Sequence, residues 1–210
     1  MRPEELIAEG LAFFHIGCDE EAARKLSVYI AELMRWNERV NLVGLTDVSR
    51  VIEELLCDAF FLSGHVPPQG KILDLGSGSG IIAIPLKILL PEAEIYAVDS
   101  SLRKVQFQRH IRRLLSLEGF APLHERIEQL PPLGVESVVV KAFGPIRRIL
   151  EMSEGHMKEG GRAFLLKGAK EEAAEVRGFQ LKEDVPYVLP FGVRKLRLLV
   201  YRKSGHEDAI

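Results

Sequence analysis

The chain has 210 residues, 47% hydrophobic and 28% charged, with a formal net charge of −2. That is enough apolar material for one moderate domain with a buried core, whereas no apolar run approaches the ~18 residues that cross a bilayer, and the near-neutral balance argues against indiscriminate nucleic-acid binding. Met1-Arg-Pro-Glu-Glu lacks a secretory pattern, and Cys18 and Cys57 have neither metal-ligand spacing nor a disulfide framework, so a cytoplasmic protein with two small buried cysteines is expected.

Residues 1–66 read as a helical segment. Asp19 is placed to cap a helix over Glu20–Asn37, whose apolar positions Ala23, Leu26, Tyr29, Ile30 and Leu33 recur every three or four residues. Trp36 lies on that stripe and reads as a core or anchoring residue, and Asn41 as a turn residue after the helix. A further helix is expected over Val48–Leu62. Pro67-Pro68-Gln69-Gly70 then breaks the pattern and separates this segment from a second domain over 67–210.

From residue 71, strands and helices alternate. The pattern predicts strand 71–75, helix 80–90, strand 94–98, helix 101–115, a weaker strand at 120–124, strand 135–141, helix 145–157, strand 162–167 and a short helix at 169–176. Pro186 and Pro190 punctuate the end, and 195–202 alternates as a final strand. Such alternation implies an α/β fold with a mostly parallel sheet wrapped on both faces. The closing strands, with no convincing helix between them, are expected to pair antiparallel.

The first strand runs into Asp74-Leu-Gly76-Ser-Gly78-Ser-Gly80, and the second ends at Asp99. Glycines there let the backbone turn sharply and approach a ligand. An acid about 20 residues beyond such a turn is positioned for ribose hydroxyls. The dinucleotide fingerprint places a pyrophosphate at the helix start. An acid two residues before the first glycine would repel that group but could hold an ammonium or an ordered water. The spacing therefore favours S-adenosylmethionine, which carries a sulfonium and an amino-acid tail and no phosphate, over NAD.

Charge is unevenly spread. Residues 1–65 carry six basic and twelve acidic side chains, while Ser100–Leu115 carry five basic ones (Arg103, Lys104, Arg109, Arg112, Arg113) and no acid. A second basic cluster comprises Arg194, Lys195, Arg197, Arg202 and Lys203. Such patches suit a polyanion at one face or, equally, a solvated helix and a protected edge strand. None of the six histidines has metal-ligand spacing.

The glycine turn with Asp99 resembles the class I S-adenosylmethionine-dependent methyltransferases. More narrowly, the chain is similar to the ribosomal RNA small subunit methyltransferase G family, also called glucose-inhibited division protein B. The resemblance rests on Trp36-Asn37-x-x-x-Asn41-Leu42, Asp58, Ile84-Pro85-Leu86, Arg103-Lys104-x-x-Phe107, Arg126-x-Glu128, Ala142-Phe143, Leu166-Lys167-Gly168 and Arg194-x-Leu196. It implies a Rossmann-like domain with a seven-stranded, mostly parallel sheet and an antiparallel last strand.

The family methylates N7 of a guanine in 16S ribosomal RNA, so the resemblance implies S-adenosylmethionine as cofactor and that RNA or the small ribosomal subunit as partner. It implies no metal and no membrane, and a monomer is expected. By the same resemblance, Gly76, Gly78, Gly80 and Ile81 would hold the cofactor's tail, Asp99 its ribose, and Ile127 and Glu128 its adenine. Arg126, Lys141 and Arg194 would position the substrate, with Lys141 also bordering the cofactor. Guanine N7 has a lone pair and no proton to lose, so alignment and exclusion of water matter and no general base is expected.

The chain also departs from the family's pattern. Ile81-Ile82-Ala83 follows Gly80 where the family has a bulky residue, proline and glycine. Lys141 stands for an arginine and keeps the charge without the bidentate fork. Leu55 and Ala59 stand for a histidine and a serine around Asp58. A methyltransferase diverged to another substrate, or a non-catalytic nucleoside- or RNA-binding module, are the alternatives these departures leave open.

Overall fold

The structure, a computed structural model, describes residues 1–192 and 194–205. Helix α1 (Pro3–Phe13) is followed by α2 (Glu20–Asn37), and the Asp19 carboxylate caps α2 by accepting from the Ala22 N–H at 2.7 Å. The next helix starts as α3 (Val48–Val51), widens into a π-helical turn (Ile52–Leu56) and continues as α4 (Cys57–Ser63). Asn37, rather than Asn41, organises the turn after α2: its side chain accepts from the Leu42 and Val43 N–H groups and donates to the Leu45 carbonyl.

The remaining chain builds β1 (Gly70–Leu75), α5 (Ala83–Leu89), β2 (Ala93–Asp99), α6 (Leu102–Leu114), β3 (Phe120–His124), β4 (Val135–Lys141), α7 (Ile146–Glu154), β5 (Met157–Gly168), β6 (Phe179–Val188) and β7 (Lys195–Lys203). The seven strands form one sheet in the order β3-β2-β1-β4-β5-β7-β6. The first five are parallel, and β7 inserts antiparallel between β5 and β6. This is the expected α/β sheet with its antiparallel ending.

Two stretches near the end differ from the sequence pattern. No helix forms over 169–176, despite its helix-forming residues. Side chains from elsewhere take the backbone groups that a helix would need: the Tyr201 hydroxyl exchanges hydrogen bonds with the Ala174 N–H and carbonyl, Arg197 donates to the Glu171 carbonyl, and Arg147 donates to the Glu175 carbonyl. Tertiary contacts thus override a weak local preference. Strand β6, which the pattern does not place, is an edge strand exposed over most of its length, and an edge accepts Pro186 without losing a ladder bond.

The two sheet faces bury different partners. Helices α1, α2, α4, α5 and α6 share one apolar interior with Ile72, Ile95, Val139, Phe164 and Val200. The opposite face (Leu73, Leu75, Val98, Val138, Leu165, Leu199) is covered by α7, Ile127 and Val176. Trp36 bridges α2 to α6, its ring 5.4 Å from Phe107 and 5.2 Å from His110. Among the described residues no helix is long and apolar enough to cross a membrane, and no group of three or more His, Cys, Asp or Glu could hold a metal ion.

Candidate cofactor and substrate site

Both candidate centres lie at the carboxyl ends of the parallel strands, where open α/β sheets bind ligands. The turn after β1 is stitched to the end of β2, because the Gly76 and Ser77 N–H groups both donate to the Val98 carbonyl at 3.0 Å. Gly76 has φ +73°, and a Cβ on it would lie 2.3 Å from the Phe143 ring, so only glycine lets the segment after β4 close over the turn. Gly78 has φ +58° and open space before it; the nearest atoms to an added Cβ are the Gly76 oxygen and the Lys104 amine, both at 4.0 Å. Gly80 backs onto Ile84 and leads through the half-buried Ile81 into α5.

Two helices brace this turn. Gln108 of α6 is fully buried and donates from Nε2 to Ser77 Oγ (2.8 Å) and to the Gly78 carbonyl (2.7 Å). Tyr29 of α2, also fully buried, donates its hydroxyl to the Ser79 carbonyl at 3.4 Å. Sequence reasoning passed over Gln108, although an amide on the apolar stripe of Val105 and Ile111 is a readable signal.

The two acids have separate tasks. Asp99 accepts from the Gly78 N–H at 2.9 Å on one oxygen and from the Ser101 N–H at 2.8 Å on the other. Each oxygen keeps a lone pair for a diol. Asp74 is 3% exposed and accepts from the Ala83 N–H at 3.2 Å, so it caps the start of α5. Burial pushes its pKa up to about 7, the Ala83 hydrogen bond opposes that rise, and the Asp99 charge adds to it. The open cradle before Gly78, beside a carboxylate with free acceptor capacity, fits a nucleoside with an amino-acid tail.

Beside the turn is a cavity of about 590 Å³, whose lining includes Asp58, Lys141, Lys167, Tyr187 and Arg194. Lys141 ends β4, and its amine lies 2.7 Å from Asp58 Oδ2. It also reaches the Glu54 and Leu55 carbonyls at 3.4 Å, groups of the π-helical turn. The Tyr187 hydroxyl donates to Asp58 Oδ1 at 2.7 Å, and its ring stacks on Phe61 at 3.9 Å. Burial and the Asp58 charge both push the Tyr187 pKa up, and Arg194 opposes them.

The cavity's cations therefore differ in availability. All three directions of the Lys141 ammonium are spent on protein. Lys167 is held by the Gly144 carbonyl at 2.7 Å and the Glu171 carboxylate at 2.8 Å. Arg194 is exposed and has no ion-pair partner among the described residues. Arg126 does not line the cavity: it is exposed on the loop after β3, before the 3-10 turn Ile127–Gln129. Ile127 is 2% exposed and belongs to the core, and Glu128 faces solvent.

Solved structures share this architecture. The chain matches the S-adenosylmethionine-dependent methyltransferase of Aquifex aeolicus with a TM-score of 0.56 and 18% identity, over 74% of this chain and 93% of that one. It matches TYW2 of M. jannaschii in complex with AdoMet with a TM-score of 0.55 and 13% identity, over 71% and 74%. These likenesses show a Rossmann-like fold of the kind those methyltransferases have.

Residues 22–196 match the family model of rRNA small subunit methyltransferase G (GidB). Ribosomal RNA small subunit methyltransferase G of Geobacter sp. (strain M21) is 33% identical over 98% of this chain and 94% of that protein; the Geobacter metallireducens protein of the same name is 32% identical over 96% and 97%. The chain belongs to the rRNA small subunit methyltransferase G family.

Proposed function

We propose that this chain methylates N7 of a guanine in 16S ribosomal RNA, taking the methyl group from S-adenosylmethionine. The observation that carries the reading is the cavity at the ends of β4 and β5, whose lining residues Ala142 and Gly144 flank the Phe143 ring packed on the glycine turn, and in which, among the described residues, Arg194 is uncommitted and no carboxylate is. Its buried acid, Asp58, is committed to Lys141 and Tyr187. That suits an acceptor atom with no proton to remove.

The cofactor, when bound, supplies an electrophilic methyl carbon on sulfur. Gly76, Gly78, Gly80 and Ile81 shape the cradle for its tail, Asp99 accepts from the ribose hydroxyls, and the backbone at Ile127–Glu128 borders the adenine. Arg194 donates to O6 and N7 at the guanine edge or to its phosphate. Lys141 acts by fixing the cavity wall, and Arg126 meets RNA from the neighbouring loop. The helical segment 1–66 braces the domain 67–210 at both centres. One copy lines both centres, so the chain works as a monomer, in the cytoplasm, on the small subunit or its RNA.

The test is transfer of a labelled methyl group from S-adenosylmethionine to unmethylated small subunits and to their extracted RNA, with the modified base mapped. Label at a guanine N7 is the expected result. Label on a different atom, or cofactor binding without transfer to either substrate, would overturn the assignment.

A further inference from the structure

Lys104 lies in the first turn of α6, half-buried, with its amine 4.0 Å from where a Cβ on Gly78 would stand. It is a cation leaning over the mouth of the cofactor cradle. Among the described residues it makes no ion pair and no hydrogen bond, whereas Lys141 and Lys167 in the adjoining cavity are tied to Asp58 and Glu171. Its location is also unfavourable for the helix. The first turn of α6 contains Arg103 and Lys104 and no acid, so two positive charges oppose the helix dipole at its positive end. A lysine there without a counter-charge has its amine available to an anion from outside the chain.

The electrostatics of the cradle specify that anion. The cradle is bordered by two acids, Asp99 at its rim and Asp74 beneath it. S-adenosylmethionine carries one anionic group, the carboxylate of its amino-acid tail, which would be repelled there unless a cation stood nearby. Resting on the cofactor reading above, we propose that Lys104 binds the carboxylate of the cofactor's amino-acid tail. Lys104 is thus a cofactor-binding residue, and its free amine completes a cradle otherwise made of backbone and carboxylates. A charge-assisted hydrogen bond of this kind is among the stronger polar contacts available to a ligand.

The experiment compares two ligands by calorimetry on the full chain: S-adenosylhomocysteine, which has the carboxylate, and 5′-methylthioadenosine, which lacks the amino-acid end of the tail. Lys104→Met is expected to raise the Kd for S-adenosylhomocysteine about tenfold, or ~1.4 kcal/mol, and to leave that for 5′-methylthioadenosine within about twofold. Lys104→Arg is expected to retain most of the affinity. Retained 5′-methylthioadenosine binding reports that the variant is folded.

Equal losses for both ligands would overturn the proposal, because Lys104 would then support the turn and not the carboxylate. Unchanged affinity for both would also overturn it, and a concurrent drop in RNA affinity would reassign Lys104 to a phosphate. If the wild-type chain binds neither ligand, the cofactor reading itself fails, a result separate from any effect of the substitution.

Discussion

Lys141 and Asp58 meet at 2.7 Å in the wall of the cavity at the ends of β4 and β5, and the Tyr187 hydroxyl donates to the same carboxylate at 2.7 Å. The contact joins the end of a parallel strand to a helix of the N-terminal segment and to the edge strand. Removing one partner leaves a buried charge uncompensated. Asp58→Ala is therefore expected to cost about 3 kcal/mol of stability, measured by denaturant unfolding, while Lys141→Arg keeps the charge and stays folded. Equal stability of Asp58→Ala and wild type would mean that the pair does not hold the wall.

Arg194 is the cavity's uncommitted cation. Arg194→Ala should lower kcat/KM for RNA methylation about 10- to 100-fold, the scale of one lost base-edge or phosphate contact, with the Kd for cofactor unchanged. Steady-state transfer assays and calorimetry on the same preparation separate the two. Undiminished methylation would take Arg194 out of the substrate site.

At Gly76 the constraint is steric. Gly76→Ala must hold a Cβ at φ +73° and push the Phe143 ring from 2.3 Å, so a loss of at least ~1–2 kcal/mol is expected from the backbone alone. Cofactor affinity should fall with it. Adding Phe143→Ala should restore part of the stability, giving a non-additive pair. Strictly additive losses would show that the ring and the turn do not press on one another.

Asp99→Asn keeps the shape of the side chain and removes its charge and half its acceptor capacity. Affinity for S-adenosylhomocysteine should drop about tenfold or more, and stability should fall by about 1–2 kcal/mol because the amide NH2 faces one of the two backbone N–H groups the carboxylate accepts from. Unaltered binding in the folded variant would exclude a ribose contact.

Asp74 gives the protein a pH dependence of definite sign. Its folded pKa is raised from 3.8 to about 7, so between those values the unfolded chain releases a proton that the folded chain retains. Stability is full below the unfolded pKa and declines as pH rises from about 4 toward 7. His156, whose burial holds its pKa below the usual 6.5, acts in the opposite sense, losing stability as pH falls. Comparing Asp74→Asn with wild type cancels the histidine. The asparagine variant, which can still cap α5, should gain on wild type by a few kcal/mol as pH increases from 4 to 8. Parallel stability profiles would rule this out.

The legible parts of the chain were those in which local chemistry and tertiary role agree. The Asp19 cap and the stripe of α2, the apolar runs of β1 and β4, and the glycine turn with Asp99 could all be read from spacing. Strand β6 could not, because an edge exposed along most of its length has little reason to alternate. The sequence pattern predicts a helix over 169–176 where none forms, because Tyr201, Arg197 and Arg147 set its conformation, from 26 to 28 residues away. Likewise Tyr187 and Asp58 are 129 residues apart in the chain, and no spacing rule connects them. The position of Lys141 at a strand end is visible in the sequence, and the resemblance implies a substrate and cofactor contact there, while its partners Asp58, Glu54 and Leu55 are not visible in the sequence.

The N-terminal helices touch both candidate sites, through Tyr29 at the glycine turn and through Asp58 at the cavity. These two contacts hang on one apolar interior that contains Leu26, Leu33, Leu56 and Phe60. On the proposed reading, the distance between methyl donor and acceptor is therefore gauged by an interior set behind both candidate sites. Loosening it, for instance with Leu33→Ala, would slow transfer by misaligning the two ligands while each still bound, so the reaction rate is a readout of how tightly this distant interior is packed.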